Sequence, residues 1–453
     1  MRMEDYIFGS VKRRLFVTVL SVLVSACSKS DGDKPSPLPE PAEIQVETVT
    51  FGGSLNDSGK ALVKTNDGGF AVLGHTQSND GDVSDKDAED FDFWLMKFDA
   101  QSGLEWTKSY GGSENDRGSD LVQTADGGFA LLGFSESSNR DVSENGGSLD
   151  YWLAKIDANG NLLWQKSFGY KGRDEGISLI ETKDQGYLLV GVLDVTASEG
   201  QGNQTARNHA GGDYWAVKIN SSGDIEWSQY YGGTFTDTAY DVVEMNEGGY
   251  LIVGSSDSFD VDISDNKGTY DFWVVRITDI GELLWEKNFG GSEIDEAKAI
   301  IPTFDGNFLI VGDTRSNDQD VSSNKGAADI WVVKIDGAGD LVWEQTYGGS
   351  GFDAASSVVA ASDGGYLIAG NSRSGDGDLQ SNQGQNDAWV LKINDEGIIV
   401  WQRSVGGSQI DLAAAVIELN GEKVLAVGES ASDDFDVNQN KGFTDVLLLA
   451  FSF

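Results

Sequence analysis

The groups in this sequence that could do chemistry are carboxylates, and they recur at fixed intervals. One column reads Asp57, Asp116, Asp174, Asp237, Asp295, Asp353 and Asp411; a second reads Asp92, Asp150, Asp213, Asp271, Asp329, Asp387 and Asp445. A third set comes in pairs: Asp80 with Asp82, Asp260 with Asp262, Asp318 with Asp320, Asp376 with Asp378, and Asp434 with Asp436. Each pair is followed by Val, Ile or Leu; the equivalent place holds Asn139 and Asp141 in one copy and has no counterpart in another.

Three chemistries fit such a pattern. Aspartates in turns accept hydrogen bonds from backbone N–H groups that the turn leaves unpaired. Presence in every copy favours this reading, because structure repeats and a single active site does not. Clustered oxygens from Asp-x-Asp, with Asn and backbone carbonyls, are also what Ca2+ takes, although the EF-hand spacing is absent. A carboxylate pair for acid–base catalysis would need one pair to stand apart from its copies, and none does. Other chemistry is scarce. His75 and His209 are the two histidines, Cys27 is the single cysteine, and no nucleophile elbow, HExxH, Walker or Rossmann pattern occurs.

One stretch breaks the pattern. Residues 168–174 read FGYKGRD in place of the usual Gly-Gly-Ser run, and the loop over residues 192–212 is longer, loses Asp-x-Asp and gains Arg207, Asn208 and His209. A unique ligand is most easily told apart where symmetry is broken, and long surface loops concentrate binding residues. Arg173, Arg207 and His209 are therefore the candidate binding residues, a basic spot expected at one end of the molecule.

These residues need elements to hold them. An aromatic-Gly-Gly signal or a near version begins at Phe51, Tyr110, Phe168, Tyr231, Phe289, Tyr347 and Val405, at intervals of 58 to 63 residues, which makes seven units. Within residues 289–346, four short apolar runs are separated by turn chemistry, 297–302, 308–312, 330–335 and 341–346, with Asp305-Gly306 and residues 336–339 as hairpin turns. No segment keeps a helical period. Four antiparallel strands per repeat of this length is the pattern of a propeller blade. The 12 tryptophans fall in two columns. One runs Trp94 to Trp389 on third strands and the other Trp106 to Trp401 on fourth strands. Identical use in six units fits packing within or between blades better than a sugar-stacking surface.

The two ends explain each other. The last unit stops after its third strand, over residues 446–453, while residues 43–51 form an orphan strand before the first complete unit. The reading is an all-β, seven-bladed β-propeller of four-stranded antiparallel blades, its ring closed by an N-terminal strand that completes the last blade and removes exposed edges. Leu447 and Glu47 take the tryptophan positions there.

Residues 1–26 read as a signal peptide, with Lys12, Arg13 and Arg14 ahead of a short apolar run. Val24-Ser25-Ala26-Cys27 resembles the bacterial lipobox, which implies lipidation of Cys27; Ser28 after it favours the outer membrane by the same resemblance. Residues 27–42 carry four of the five prolines and form a tether, leaving 43–453 as one propeller domain. A formal charge of −42 repels nucleic acid and suits cations or basic partners.

The segment Lys155-Ile-Asp-Ala-Asn-Gly-Asn-Leu-Leu-Trp164 resembles the tryptophan-docking motif of quinoprotein-type propellers. The unit as a whole, GGS-x-x-D … DGG(F/Y) … D-(F/Y)-W, is similar to the repeats of bacterial seven-bladed propeller lipoproteins over residues 43–453. That resemblance implies a lipid-anchored, exported monomer of the outer membrane or cell surface. Its partner would be a protein or glycan of the envelope, since related lipoproteins serve as assembly scaffolds. Nothing matches the quinone-binding or catalytic residues of the enzymes. A non-enzymatic scaffold is the first expectation, and a calcium-dependent polysaccharide-binding protein or enzyme the alternative.

Overall fold

The computed structural model describes residues 44–202 and 208–453. The expectations for the signal segment, Cys27 and the tether, and for Arg207, lie outside these residues. Seven four-stranded antiparallel sheets are present. Six are continuous in sequence, spanning residues 57–110, 116–168, 175–231, 237–289, 295–347 and 353–405. The seventh, blade seven, takes its first three strands from residues 411–452 and its outer strand from Gln45–Phe51, in register from Gln45 opposite Ser452 to Phe51 opposite Val446. The N-terminal strand thus closes the ring as expected.

Blade five shows how closely local sequence sets each strand. Its strands are Asp295–Pro302, Phe308–Thr314, Asp329–Ile335 and Leu341–Tyr347, within two residues of the apolar runs. The second and third are buried throughout, because each is covered by a neighbouring blade on both faces. The fourth is exposed or half-buried over its first five residues, as an outer edge must be. The first strand of every blade packs on the first strands of both neighbours, including blade seven on blade one, so these seven line a central channel.

The tryptophans join blades. Phe93 meets Trp152 at 4.6 Å between ring centroids, Tyr151 meets Trp215 at 4.8 Å, Tyr214 meets Trp273 at 4.5 Å and Phe272 meets Trp331 at 4.6 Å. Five of the six outer-strand tryptophans share a core cluster with the third-strand tryptophan of the next blade, as Trp285 does with Trp331. Trp227 also lies on the last hairpin of its neighbour and donates to the Asp279 carbonyl at 2.9 Å. Gly281 in that hairpin has φ +79, and a Cβ there would fall 2.9 Å from the Trp227 ring, so the turn needs glycine twice over. At the seam, Leu447 and Phe451 pack with Trp401 in place of a tryptophan pair.

The channel strands hold a feature that no local pattern announces. Each carries a register shift one residue wide, between Gly59 and Ala61, Gly118 and Asp120, Gly176 and Ser178, Ala239 and Asp241, Ala297 and Ala299, Ala355 and Ser357, and Ala413 and Ala415. A bulge leaves one residue outside the ladder and re-aims its side chain.

Candidate functional site

The repeated aspartates hold the blades together. Asp295 accepts from Ser316 Oγ at 2.8 Å, from the Gly291 N–H at 2.7 Å, and from Thr314 Oγ1. The same set recurs at Asp57, Asp116, Asp353 and Asp411. The second column begins the third strands, and five of its members, Asp150, Asp271, Asp329, Asp387 and Asp445, take a backbone N–H four residues earlier, as Asp329 takes that of Lys325 at 3.0 Å; Asp92 is met by Lys86 and Asp213 by the His209 ring. The other oxygen has no hydrogen-bond partner in any of the seven copies. The two columns meet at each junction. A Cβ on Gly290 would lie 2.4 Å from Asp271 Oδ1 and 2.7 Å from Asp295 Oδ2, which is why that position is glycine. Burial, opposed by the Lys267 N–H and reinforced by the charge of Asp295, pushes Asp271 up to about 7.

The Asp-x-Asp pairs are engaged in the same work. The first member takes a backbone N–H of the Gly-Gly-Ser turn: Asp80 that of Ser54 at 2.7 Å, Asp260 that of Thr234 at 3.0 Å, Asp318 that of Ser292 at 2.8 Å, and Asp376 and Asp434 those of Ser350 and Ser408 at 2.7 Å. The second takes the first glycine N–H of the same turn. It also takes a side chain from the preceding blade: Lys441 on Asp82 at 2.7 Å, Lys267 on Asp320 and Lys325 on Asp378 at 2.6 Å, and Gln383 on Asp436 at 2.7 Å. Among the described residues no group of three or more His, Cys, Asp or Glu is placed to share a cation.

Blade three rebuilds its junctions from other residues. Asp174 accepts from the N–H groups of Tyr170 at 2.8 Å and Asp194 at 2.9 Å. The altered segments do lie together, since Lys171 pairs with Glu199 at 3.2 Å, and the long loop forms a one-turn helix, Val195–Ser198. His209 Nδ1 meets Asp213 Oδ2 at 2.5 Å and Nε2 lies 3.8 Å from Asp262, with the ring 5% exposed. His209 stands four residues before its strand aspartate, where Lys267 and Lys325 stand, and bridges the same two carboxylates. Burial opposes its charge, but the hydrogen bond and charge of Asp213 outweigh that and raise its pKa. Arg173 is exposed and paired with Glu175 at 3.0 Å. Arg173 lines a cleft with Glu175, Asp194 and Thr196, of which His209 is not a part.

Residues that differ from blade to blade converge elsewhere. The seven bulged residues are Lys60, Ser119, Ile177, Tyr240, Lys298, Ser356 and Ala414, and all seven line a channel cavity of about 300 Å³. Asp120 and Asp241 join three blades there through Ser178 Oγ, at 3.2 and 2.9 Å. At the channel end carrying the aspartate columns, the residue after each inner-strand aspartate pairs in register with one second-strand position: Ser58 with His75, Arg117 with Phe134, Glu296 with Asp313, Leu412 with Glu429. Neither position repeats around the ring as the aspartates do.

A cavity of about 570 Å³ opens at this mouth over blades seven, one and two, with Ile177 of blade three at its edge. Its wall includes Lys60, His75, Phe91, Arg117, Phe134 and Glu429. Lys60 pairs with Glu429 at 3.2 Å, and Ser58 Oγ donates to the same Glu429 Oε2. The Arg117 guanidinium lies 4.2 Å over the Phe91 ring and, among the described residues, has no ion pair. His75 is nine-tenths buried, and its Nδ1 has no hydrogen-bond partner. Burial, then the charges of Lys60 and Arg117, push its pKa down to about 3, so it is neutral at physiological pH. The signal for this site was the pair of columns that fail to repeat among otherwise constant neighbours. No local mark joins them, because His75, Arg117 and Glu429 stand in regular register on strands of three different blades and meet only where the ring closes.

No family model matches the chain. A curated protein, the regulatory protein FlaEY of Caulobacter vibrioides, is 24% identical over 359 residues, which is 70% of this chain and 36% of that protein. The chain thus spans about a third of the length of that relative. Among solved structures, BamB from Moraxella catarrhalis is 10% identical with a TM-score of 0.43, covering 90% of this chain and 99% of that one. A protein of unknown function from Dyadobacter fermentans is 12% identical with a TM-score of 0.42 over the same shares. The PQQ-bound aldose sugar dehydrogenase of Streptomyces coelicolor is 11% identical with a TM-score of 0.35, covering 91% of this chain and 99% of that one.

Proposed function

We propose that this protein is a non-enzymatic binding propeller of the cell envelope, exported and lipid-anchored through Cys27, that receives its partner at the aspartate end of the channel. One observation carries the reading: the repeated carboxylates are taken up by junctions between blades, whereas residues unique to single blades gather at one mouth with polar groups left unpaired. A rigid ring of near-copies gives such residues a fixed frame, the usual division of labour between scaffold and recognition surface. The lipobox-like sequence supports the anchor.

Photo-crosslinking in cells tests it. A crosslinking residue at Ser119 or Ser356, in the channel, should capture an envelope component, while one at Leu163, on an outer strand, should not. Capture from the outer strand alone would overturn the reading. Cys27→Ser should abolish labelling by radioactive palmitate and release the protein from membranes; continued labelling would refute the anchor.

A further inference from the structure

The mouth cavity has a composition at odds with the rest of the molecule. In a chain of formal charge −42 it gathers Lys60 and Arg117 with two carboxylates, Glu429 at its rim and Asp57, whose oxygens are already taken up by Thr76, Ser78 and the Gly53 N–H, and with the neutral His75. The groups are at different stages of satisfaction. Lys60 and Ser58 both end on Glu429 Oε2, and Oε1 makes no bond among the described residues. Arg117 is oriented by Phe91 and, among the described residues, has no ion pair. His75 Nδ1 is buried and unpartnered.

Each of these asks for a definite chemical complement. A guanidinium resting on an aromatic face presents its planar fork to a carboxylate and binds it through two parallel N–H···O bonds. A neutral imidazole nitrogen without a partner meets a hydroxyl whichever tautomer it adopts, because a hydroxyl both donates and accepts. Glu429 Oε1 takes a second hydroxyl. Phe91, Phe134 and Ile177 give apolar walls on which the C–H face of a saturated ring or chain can lie. A cavity of about 570 Å³ accommodates a ligand of one or two sugar rings.

We infer that this cavity binds a polyhydroxylated carboxylate, a sugar acid, with its carboxylate on Arg117 and its hydroxyls on the His75 imidazole and Glu429. The inference rests on the channel mouth being the binding end. The same chemistry is offered by a free sugar acid and by a uronate unit of an acidic polysaccharide, and the two are separable by experiment. Neutral sugars lack the group that Arg117 requires, and simple carboxylates such as acetate lack the hydroxyls that leave His75 satisfied. Bound groups that fail to pair a buried polar atom lose affinity steeply, which makes the site selective.

Calorimetric titration of the full chain with D-galacturonate, D-galactose, acetate and a galacturonate trimer decides the matter. Galacturonate should bind at least tenfold more tightly than galactose or acetate. Equal heats for galactose and galacturonate would overturn the carboxylate assignment, and no heat from galacturonate or the trimer would overturn the site. Trimer binding without monomer binding assigns the ligand to the polysaccharide. Arg117→Gln and His75→Phe should each weaken binding at least tenfold without lowering the melting temperature, and Lys166→Gln on an outer strand should leave it unchanged. If no sugar acid binds while Ser119 still crosslinks an envelope component, the ligand class fails and the binding role stands.

Discussion

Blade five and blade three build one junction from different parts. In blade five, Asp295 is held by Thr314, Ser316 and the Gly291 N–H, and Lys325 spans to Asp378. In blade three, Asp174 is held by two backbone N–H groups, and His209 replaces the lysine between Asp213 and Asp262. Blade three departs furthest from the repeat, yet its departures are mostly absorbed by restoring the contacts that every blade needs. At the channel mouth, by contrast, Arg117 and His75 break the repeat, and among the described residues Arg117 has no ion pair and His75 Nδ1 no hydrogen-bond partner. Asymmetry marks a ligand only where the scaffold leaves it unpaired.

The strongest way to break this account is at the seam, where a junction depends on a strand from the far end of the chain. Deleting residues 44–51 should expose the edge of Asp445–Ser452 and lower the melting temperature by more than about 5 °C or cause aggregation. An unchanged melt would mean the ring does not need that strand. Next, Asp295→Ala strands two hydroxyls and a backbone N–H, and should cost about 2–4 kcal/mol in denaturant unfolding. A cost below that of a surface substitution would remove the aspartate column from the stability of the ring.

Titration sharpens the comparison further. Burial raises Asp271 to about 7, and burial raises Asp329 and Asp445 to about 6. The folded state therefore holds protons that the unfolded chain, titrating near pH 4, has released, so stability falls as pH rises from about 4 to 7. Asp305 has the opposite sign. Hydrogen bonds from Thr303 and Lys334 hold it down to about 2, and its contribution is lost only as pH falls below about 4. The melting temperature should peak near pH 4–5 and be lower at pH 8; a peak at pH 8 would contradict the assignment.

His209→Ala should cost about 2 kcal/mol, Lys325→Ala about 1, and His209→Lys should recover most of the loss, since both side chains serve the same bridge. A neutral His209→Ala would return that residue to the pool of binding candidates. The smallest expected effect is that of calcium. With both members of each Asp-x-Asp pair already accepting backbone N–H groups, melting in millimolar calcium and in chelator should agree at matched ionic strength. A rise in calcium would restore the cation role of Asp318 and Asp320 through selective binding to the folded state.

Much of the architecture is written locally. Strand limits, turns and the number of blades follow from apolar runs and Asp-Gly signals repeating at 58 to 63 residues, and closure follows from one strand too many at one end and one too few at the other. These depend on neighbours within a few residues, or on counting, and so survive without coordinates. Which blade a tryptophan packs against, whether an aspartate caps a turn or faces a ligand, and which residues reach the channel depend on distances between segments a full repeat apart. The bulge at Lys60, Ser119 and their counterparts shows the reason. One residue slipping out of a ladder turns a side chain from the sheet into the channel, and only the packing of seven inner strands against one another shows that it has done so.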